Sequence, residues 1–187
     1  MESFRGHSIH TFYRDGTGPL LVLLHGFPTS SFDWREFLKV DAKRSVLAFD
    51  FLGFGLSDKP RDHSYTLSWQ ADLTEELVPF VERTFPLEAV PQGRCLMGAS
   101  FGAVAALSTA CRYPGFFGRL LLQSGSFAFT DIGDRNHRGP LFDPVVAFMN
   151  RFRAEPAAVS ERVFVSCGMY ESLIYENRSM VPLLTET

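Results

Sequence analysis

The pentapeptide Gly98-Ala99-Ser100-Phe101-Gly102 constrains the fold of this chain more than any other feature. An apolar run, Cys95-Leu96-Met97, leads into it, and a helix-forming run, Ala103-Val104-Ala105-Ala106-Leu107, leads out. That succession predicts a buried strand, a sharp turn and a helix. The turn forces the serine into a strained backbone conformation, and small neighbours let helix and strand pass closely, hence Gly98 and Gly102. It presents the Ser100 hydroxyl as a nucleophile and aims the N–H of Phe101 at the place where an oxyanion would form. The competing reading is a glycine-rich helix start in which Ser100 is an N-cap.

The rest of the chain alternates strands and helices. Leu20 to Leu24 reads as a central strand buried on both faces, Phe32 to Val40 as a short helix, and Val46 to Phe51 as the next strand. Thr66 reads as the N-cap of a helix to about Phe85, with Pro79 inside it as a kink. Further strands are predicted at Leu120–Gln123 and Arg162–Cys167, and a last helix from Leu173 to about Leu184. The order implies a doubly wound, mostly parallel α/β sheet in a single domain. A chain of 187 residues suffices for one core.

Composition narrows the partners. A net charge of −3 without a long basic run argues against nucleic acid. No apolar run is long enough to cross a bilayer, and Met1 to His7 has no apolar h-region. Cys95, Cys111 and Cys167 lack C-x-x-C spacing and read as buried free thiols of a cytoplasmic protein. There is no metal-ligand cluster, phosphate loop or dinucleotide fingerprint, so no cofactor is expected.

The loop after the first parallel strand, His25-Gly26-Phe27-Pro28, falls at the carboxyl end of the sheet, beside the serine turn. The N–H of Phe27 is therefore the second candidate oxyanion donor. His25 directly follows a buried strand and reads as a structural residue that holds the loop.

The residues quoted next carry a family resemblance. Leu23-Leu24-His25-Gly26-Phe27-Pro28-Thr29-Ser30, Trp34, Asp50 and Gly53-Phe54-Gly55-Leu56-Ser57-Asp58-Lys59-Pro60 resemble the α/β-hydrolase superfamily in its epoxide hydrolase and haloalkane dehalogenase branch. From about residue 74 the chain resembles esterases related to enterochelin esterase and esterase D. That text is Glu76-Leu77-Val78-Pro79-Phe80-Val81-Glu82, the serine turn, Tyr113-Pro114, Phe117-Gly118 and Gln123-Ser124-Gly125-Ser126, then Cys167-Gly168, Glu171, Tyr175, Glu176 and Asn177. A seam near Leu73 is expected. The dehalogenase branch places an Asp where this chain has Ser100, so the resemblance implies serine acyl transfer on an ester or thioester.

By the same resemblance Glu171 is the acid of a Ser–acid–His triad, with Glu176 in reserve; both also read as solvated carboxylates at a helix start. None of His7, His10, His25, His63 and His137 follows Glu171. Measured against the family, the chain stops before a last strand, a histidine loop and a closing helix. His137, in the polar loop Asp134-Arg135-Asn136-His137-Arg138, reads first as an exposed histidine and otherwise as the one cap-region candidate to replace the base. Phe127 to Phe152, within an insert at about 127–157, reads either as a cap over an acyl pocket or as ordinary core. The expectation is a serine carboxylic-ester hydrolase impaired for want of its histidine. The alternative is a non-catalytic fragment, chimera or pseudoenzyme that keeps the fold. The uncovered strand at 162–167 would leave a sheet edge through which a homodimer could form.

Overall fold

The computed structural model describes residues 1–63, 65–85, 87–132, 139–140 and 142–185. Its centre is the apolar text read above. Strand β4 (Thr17–Leu24) is preceded by β1 (Glu2–Phe4), β2 (His7–Ile9) and β3 (Thr11–Arg14). A 3-10 turn (Ser31–Trp34) opens α1 (Arg35–Val40), and β5 (Arg44–Phe49) follows. Then come α2 (Leu67–Thr84), β6 (Arg94–Ala99), α3 (Phe101–Arg112), β7 (Arg119–Gln123), α4 (Asp143–Ala154), β8 (Arg162–Ser166) and α5 (Ile174–Thr185).

Six strands form one sheet in the order β3-β5-β4-β6-β7-β8, parallel except for β3. This is the α/β-hydrolase architecture that the sequence implied. Successive side chains of β4 point to opposite faces. Leu20, Val22 and Leu24 join the large cluster under α2 and α3, while Leu21 and Leu23 pack with Trp34, Phe37 and Leu38 on the α1 side. Burial on both faces explains why β4 and β6 read as continuous apolar runs.

Helix α2 begins where the sequence places it: the Thr66 hydroxyl accepts the Trp69 N–H at 3.2 Å. The helix runs unbroken from Leu67 to Thr84, through Pro79 and across the expected seam at Leu73, which is buried. Arg94 at the start of β6 forms a two-pronged ion pair with Glu82 on α2, at 2.7 and 2.9 Å, and its guanidinium lies 4.1 Å from the centre of the Phe116 ring.

The sequence reading passed over β1, β2 and β3. They are short and only half-buried, so neither an apolar run nor a clean alternation marks them. β1 and β2 pair across Arg5 and Gly6, both at positive φ. The hairpin then straps onto the segment after β5. Ser8 exchanges hydrogen bonds with Asp58, and the His10 N–H donates to the Ser57 hydroxyl at 2.9 Å. The thiols also differ from expectation: Cys95 is buried, but Cys111 and Cys167 are half-buried.

Candidate active site

The serine turn is built by steric exclusion. Ser100 links β6 to α3 with φ 56 and ψ −121, in the left-handed half of the map that costs an L-residue energy. A Cβ on Gly98 would stand 2.0 Å from the Gly102 carbonyl oxygen, and one on Gly102 would stand 2.3 Å from that of Leu24. Any side chain at either position would push helix and strand apart. Ser100 stands at the N-cap position of α3, but its side chain makes no capping bond to the helix, so its hydroxyl is not spent as a cap. Its hydroxyl lies 3.2 Å from that of Ser126, and its carbonyl accepts the Ser126 N–H at 3.2 Å.

Because β4 lies beside β6 in register, Leu24 against Gly98, the loop after β4 falls against the turn. A Cβ on Gly26 would stand 3.3 Å from Ser100 Cβ. The Phe27–Pro28 peptide is cis. Phe27 is the donor the sequence suggested for the second oxyanion contact, and its ring lies 6.5 Å from that of Phe101, centre to centre. His25 is buried. Its Nε2 accepts the Phe51 N–H at 3.0 Å, so the proton sits on Nδ1, which donates to the Gly26 carbonyl at 2.8 Å. Burial pushes its pKa below the ordinary histidine value. With both nitrogens engaged, His25 fixes the loop.

Asp50 plays a similar part: its carboxylate accepts the N–H groups of Ser31 and Leu56 at 2.7 and 2.8 Å. Burial alone would raise its pKa, but these bonds outweigh it and hold the carboxyl below the usual range.

Glu171 follows β8, at the same end of the sheet. Its Oε1 accepts the Ser124 hydroxyl at 3.0 Å and the Gly168 N–H at 2.8 Å. Those two donors hold its carboxyl below the usual carboxylate range, so it is ionised at neutral pH. Glu176 is buried in the first turn of α5. Burial and the charges of Glu171 and Glu176 push the Cys167 thiol up, away from a reactive thiolate. His137 lies outside the described residues. Among the described residues, the Ser100 hydroxyl hydrogen-bonds that of Ser126 and no histidine.

One further polar residue, whose role the sequence did not reveal, completes the frame. Asn177 on α5 grips the Gly125 peptide at both ends: Oδ1 accepts its N–H at 3.0 Å, and Nδ2 donates to its carbonyl at 2.9 Å. Gly125 separates Ser124, which holds Glu171, from Ser126, which touches Ser100. The loop after β7 thus ties the carboxylate to the serine turn. Side-chain polarity alone carries no such signal.

A cavity of about 110 Å³ adjoins the turn. Phe27, Phe101 and Phe142 line it, the last from the 127–152 segment, and Ser100 is not among its lining residues. Gln70 also lines it. Sequence reasoning missed this residue, although a polar side chain in the Leu67, Leu73, Leu77 stripe of α2 was a visible anomaly. In α4, Val145, Met149 and Phe152 are buried, so its apolar face packs down on the core.

Residues 21–182 match the model of the Alpha/beta hydrolase family. The mesoderm-specific transcript protein of Mus musculus is 45% identical over 82 residues, which is 40% of this chain and 24% of that protein. A cis-3-alkyl-4-alkyloxetan-2-one decarboxylase of Shewanella oneidensis is 31% identical over 134 residues, 69% of this chain and 39% of the relative. The chain thus spans about a quarter to two-fifths of the length of these curated relatives. A crystal structure of a hydrolase from Pseudomonas aeruginosa superposes with a TM-score of 0.72 over 100% of this chain and 84% of that one, at 19% identity, a likeness of fold.

Proposed function

Because the chain belongs to the alpha/beta hydrolase family, we infer that it is built for serine hydrolysis of a small carboxylic ester or thioester. The observation that carries this reading is the left-handed Ser100 between β6 and α3, with the 25–28 loop against it. In the proposed reaction Ser100 Oγ attacks the carbonyl carbon and gives its proton to a base. The N–H groups of Phe101 and Phe27 stabilise the oxyanion as it forms. The alcohol or thiol leaves with the proton, and water then hydrolyses the acyl-serine.

Glu171, ionised and braced by Ser124 and Gly168, is suited to orient an imidazolium. The base itself is the open position. No histidine follows Glu171 in these 187 residues, and His137 is the substitute named from the sequence. In a serine protease of the same logic, losing the histidine costs on the order of 10⁶ in kcat. The 187-residue chain alone is therefore expected to turn over esters very slowly, and a non-catalytic form that keeps the fold is the rival reading.

A fluorophosphonate probe followed by peptide mass spectrometry separates the two. Label on Ser100, abolished by Ser100→Ala, supports the hydrolase. Label that persists in Ser100→Ala, or none at millimolar probe even with imidazole added as an external base, favours the non-catalytic form. Among the described residues no helix is long and apolar enough to cross a membrane, and the expected partner is a small molecule.

A further inference from the structure

The cavity beside the serine turn contains a buried oxygen with no partner. Gln70 is 3% exposed and contributes to the cavity wall. Its Nε2 donates to the Leu52 carbonyl at 3.5 Å. That contact fixes which way the amide faces, because a carbonyl accepts and cannot donate. Oε1 is then the remaining end, and it meets no donor among the described residues. The Tyr65 hydroxyl, the other polar group of the wall, is already committed to the Pro60 carbonyl.

The other described residues that face the space are aromatic: Phe27, Phe51, Phe54, Tyr65, Phe101 and Phe142. At about 110 Å³, it is far below the roughly 300–1,000 Å³ of sites for drug-sized ligands. It is nearer the roughly 150 Å³ of an apolar cavity that holds a single benzene ring.

We propose that this cavity binds one hydroxyaryl ring, a phenol-type group whose O–H donates to Gln70 Oε1. The surrounding rings offer edges and faces to an aromatic guest, contacts that an alkyl chain forgoes. A guest without a donor leaves the amide oxygen desolvated and unpaired. A carboxylate would bring an acceptor against an acceptor, and among the described residues no acidic side chain lines the wall to balance a cation. Since Phe101 follows Ser100 directly, a ring held here is one half of the ester presented to the serine. That last clause rests on the hydrolase reading; the choice of ring does not.

The test uses phenol and toluene as probes, titrated by NMR into the full chain and into Gln70→Met, a substitution of similar volume. The ratio of phenol to toluene affinity should fall about tenfold in the variant, the effect of one buried acceptor losing its donor. An unchanged ratio overturns the proposal, as does wild-type affinity for toluene equal to or above that for phenol. If Gln70→Met does not fold, the wild-type spectrum decides: phenol must shift the Gln70 side-chain amide signals, and no shift at saturation overturns the proposal. Neither readout involves ester turnover, so failure of the hydrolase reading would leave this ratio intact and be recognised separately.

Discussion

Ser100 Oγ and Ser126 Oγ lie 3.2 Å apart, and the Ser126 N–H also binds the Ser100 carbonyl. The hydroxyl of the candidate nucleophile is thus held from the loop after β7, while its carbonyl also accepts the Ala103 N–H of its own helix at 3.1 Å. Replacing Ser126 by Ala removes one hydrogen bond, about 1 kcal/mol. Labelling of Ser100 by a fluorophosphonate should slow about fivefold, with little change in the thermal midpoint. A labelling rate equal to wild type would mean that Ser126 does not orient the hydroxyl.

The Ser124 hydroxyl and the Gly168 N–H keep Glu171 ionised. In Ser124→Ala the Gly168 amide and the weaker Cys167 thiol contact remain, so the Glu171 carboxyl should titrate nearer to its ordinary value. A carbon-13 NMR titration of Glu171 reads this directly. No movement would assign the depression to Gly168 and Cys167.

His25 makes stability pH-dependent. Burial lowers its folded-state pKa, while the unfolded chain binds the proton near about pH 6.5. The unfolded state therefore takes up protons first on acidification. The contribution of His25 is fully present above about pH 6.5 and is lost as pH falls through the lower folded value. His63 shifts in the same direction, through burial and the neighbouring charge of His7. Urea midpoints should decline below about pH 6.5, and less steeply in His25→Asn. Identical slopes would exclude His25 as a source.

The Glu82–Arg94 pair is nearly sheltered from solvent, at 6% and 10% side-chain exposure. Glu82→Ala strands the guanidinium and should destabilise the fold by about 3–5 kcal/mol. Chemical denaturation measures this, and a loss under about 1 kcal/mol would contradict it.

Strand β8 pairs with β7 on one side and, among the described residues, with no strand on the other. Phe164 on this strand is 62% exposed. Light scattering at tens of micromolar should show self-association, reduced by Phe164→Lys. A stable wild-type monomer would count against pairing through this edge.

How much of this was legible in the sequence follows from where the constraints act. Ser100, Gly98 and Gly102 were readable because a close approach of helix and strand restricts residue type at fixed spacing. The helical spacing of Val145, Phe148, Met149 and Phe152 marks one apolar face of α4 within the segment read as cap or core. Thr66 announced α2 by its hydroxyl. Strand β3 was not readable, because its pairing with β5 is set by the sheet and not by its own pattern. The grip of Asn177 on Gly125, 52 residues away, and the stranded oxygen of Gln70 are three-dimensional facts with no local signature.

The strap formed by β1 and β2 bears on the order in which a growing chain can complete itself. Ser8 leaves the ribosome 50 residues before Asp58, and Arg5 leaves 71 residues before Glu76. The first strands made must wait for partners, and such distant closures slow folding. Strand β6 lies between β4 and β7, so both its edges are paired only once β7 has been made. The serine turn therefore cannot be complete until the loop that bears Ser126 has been made, although it stands at the middle of the finished sheet.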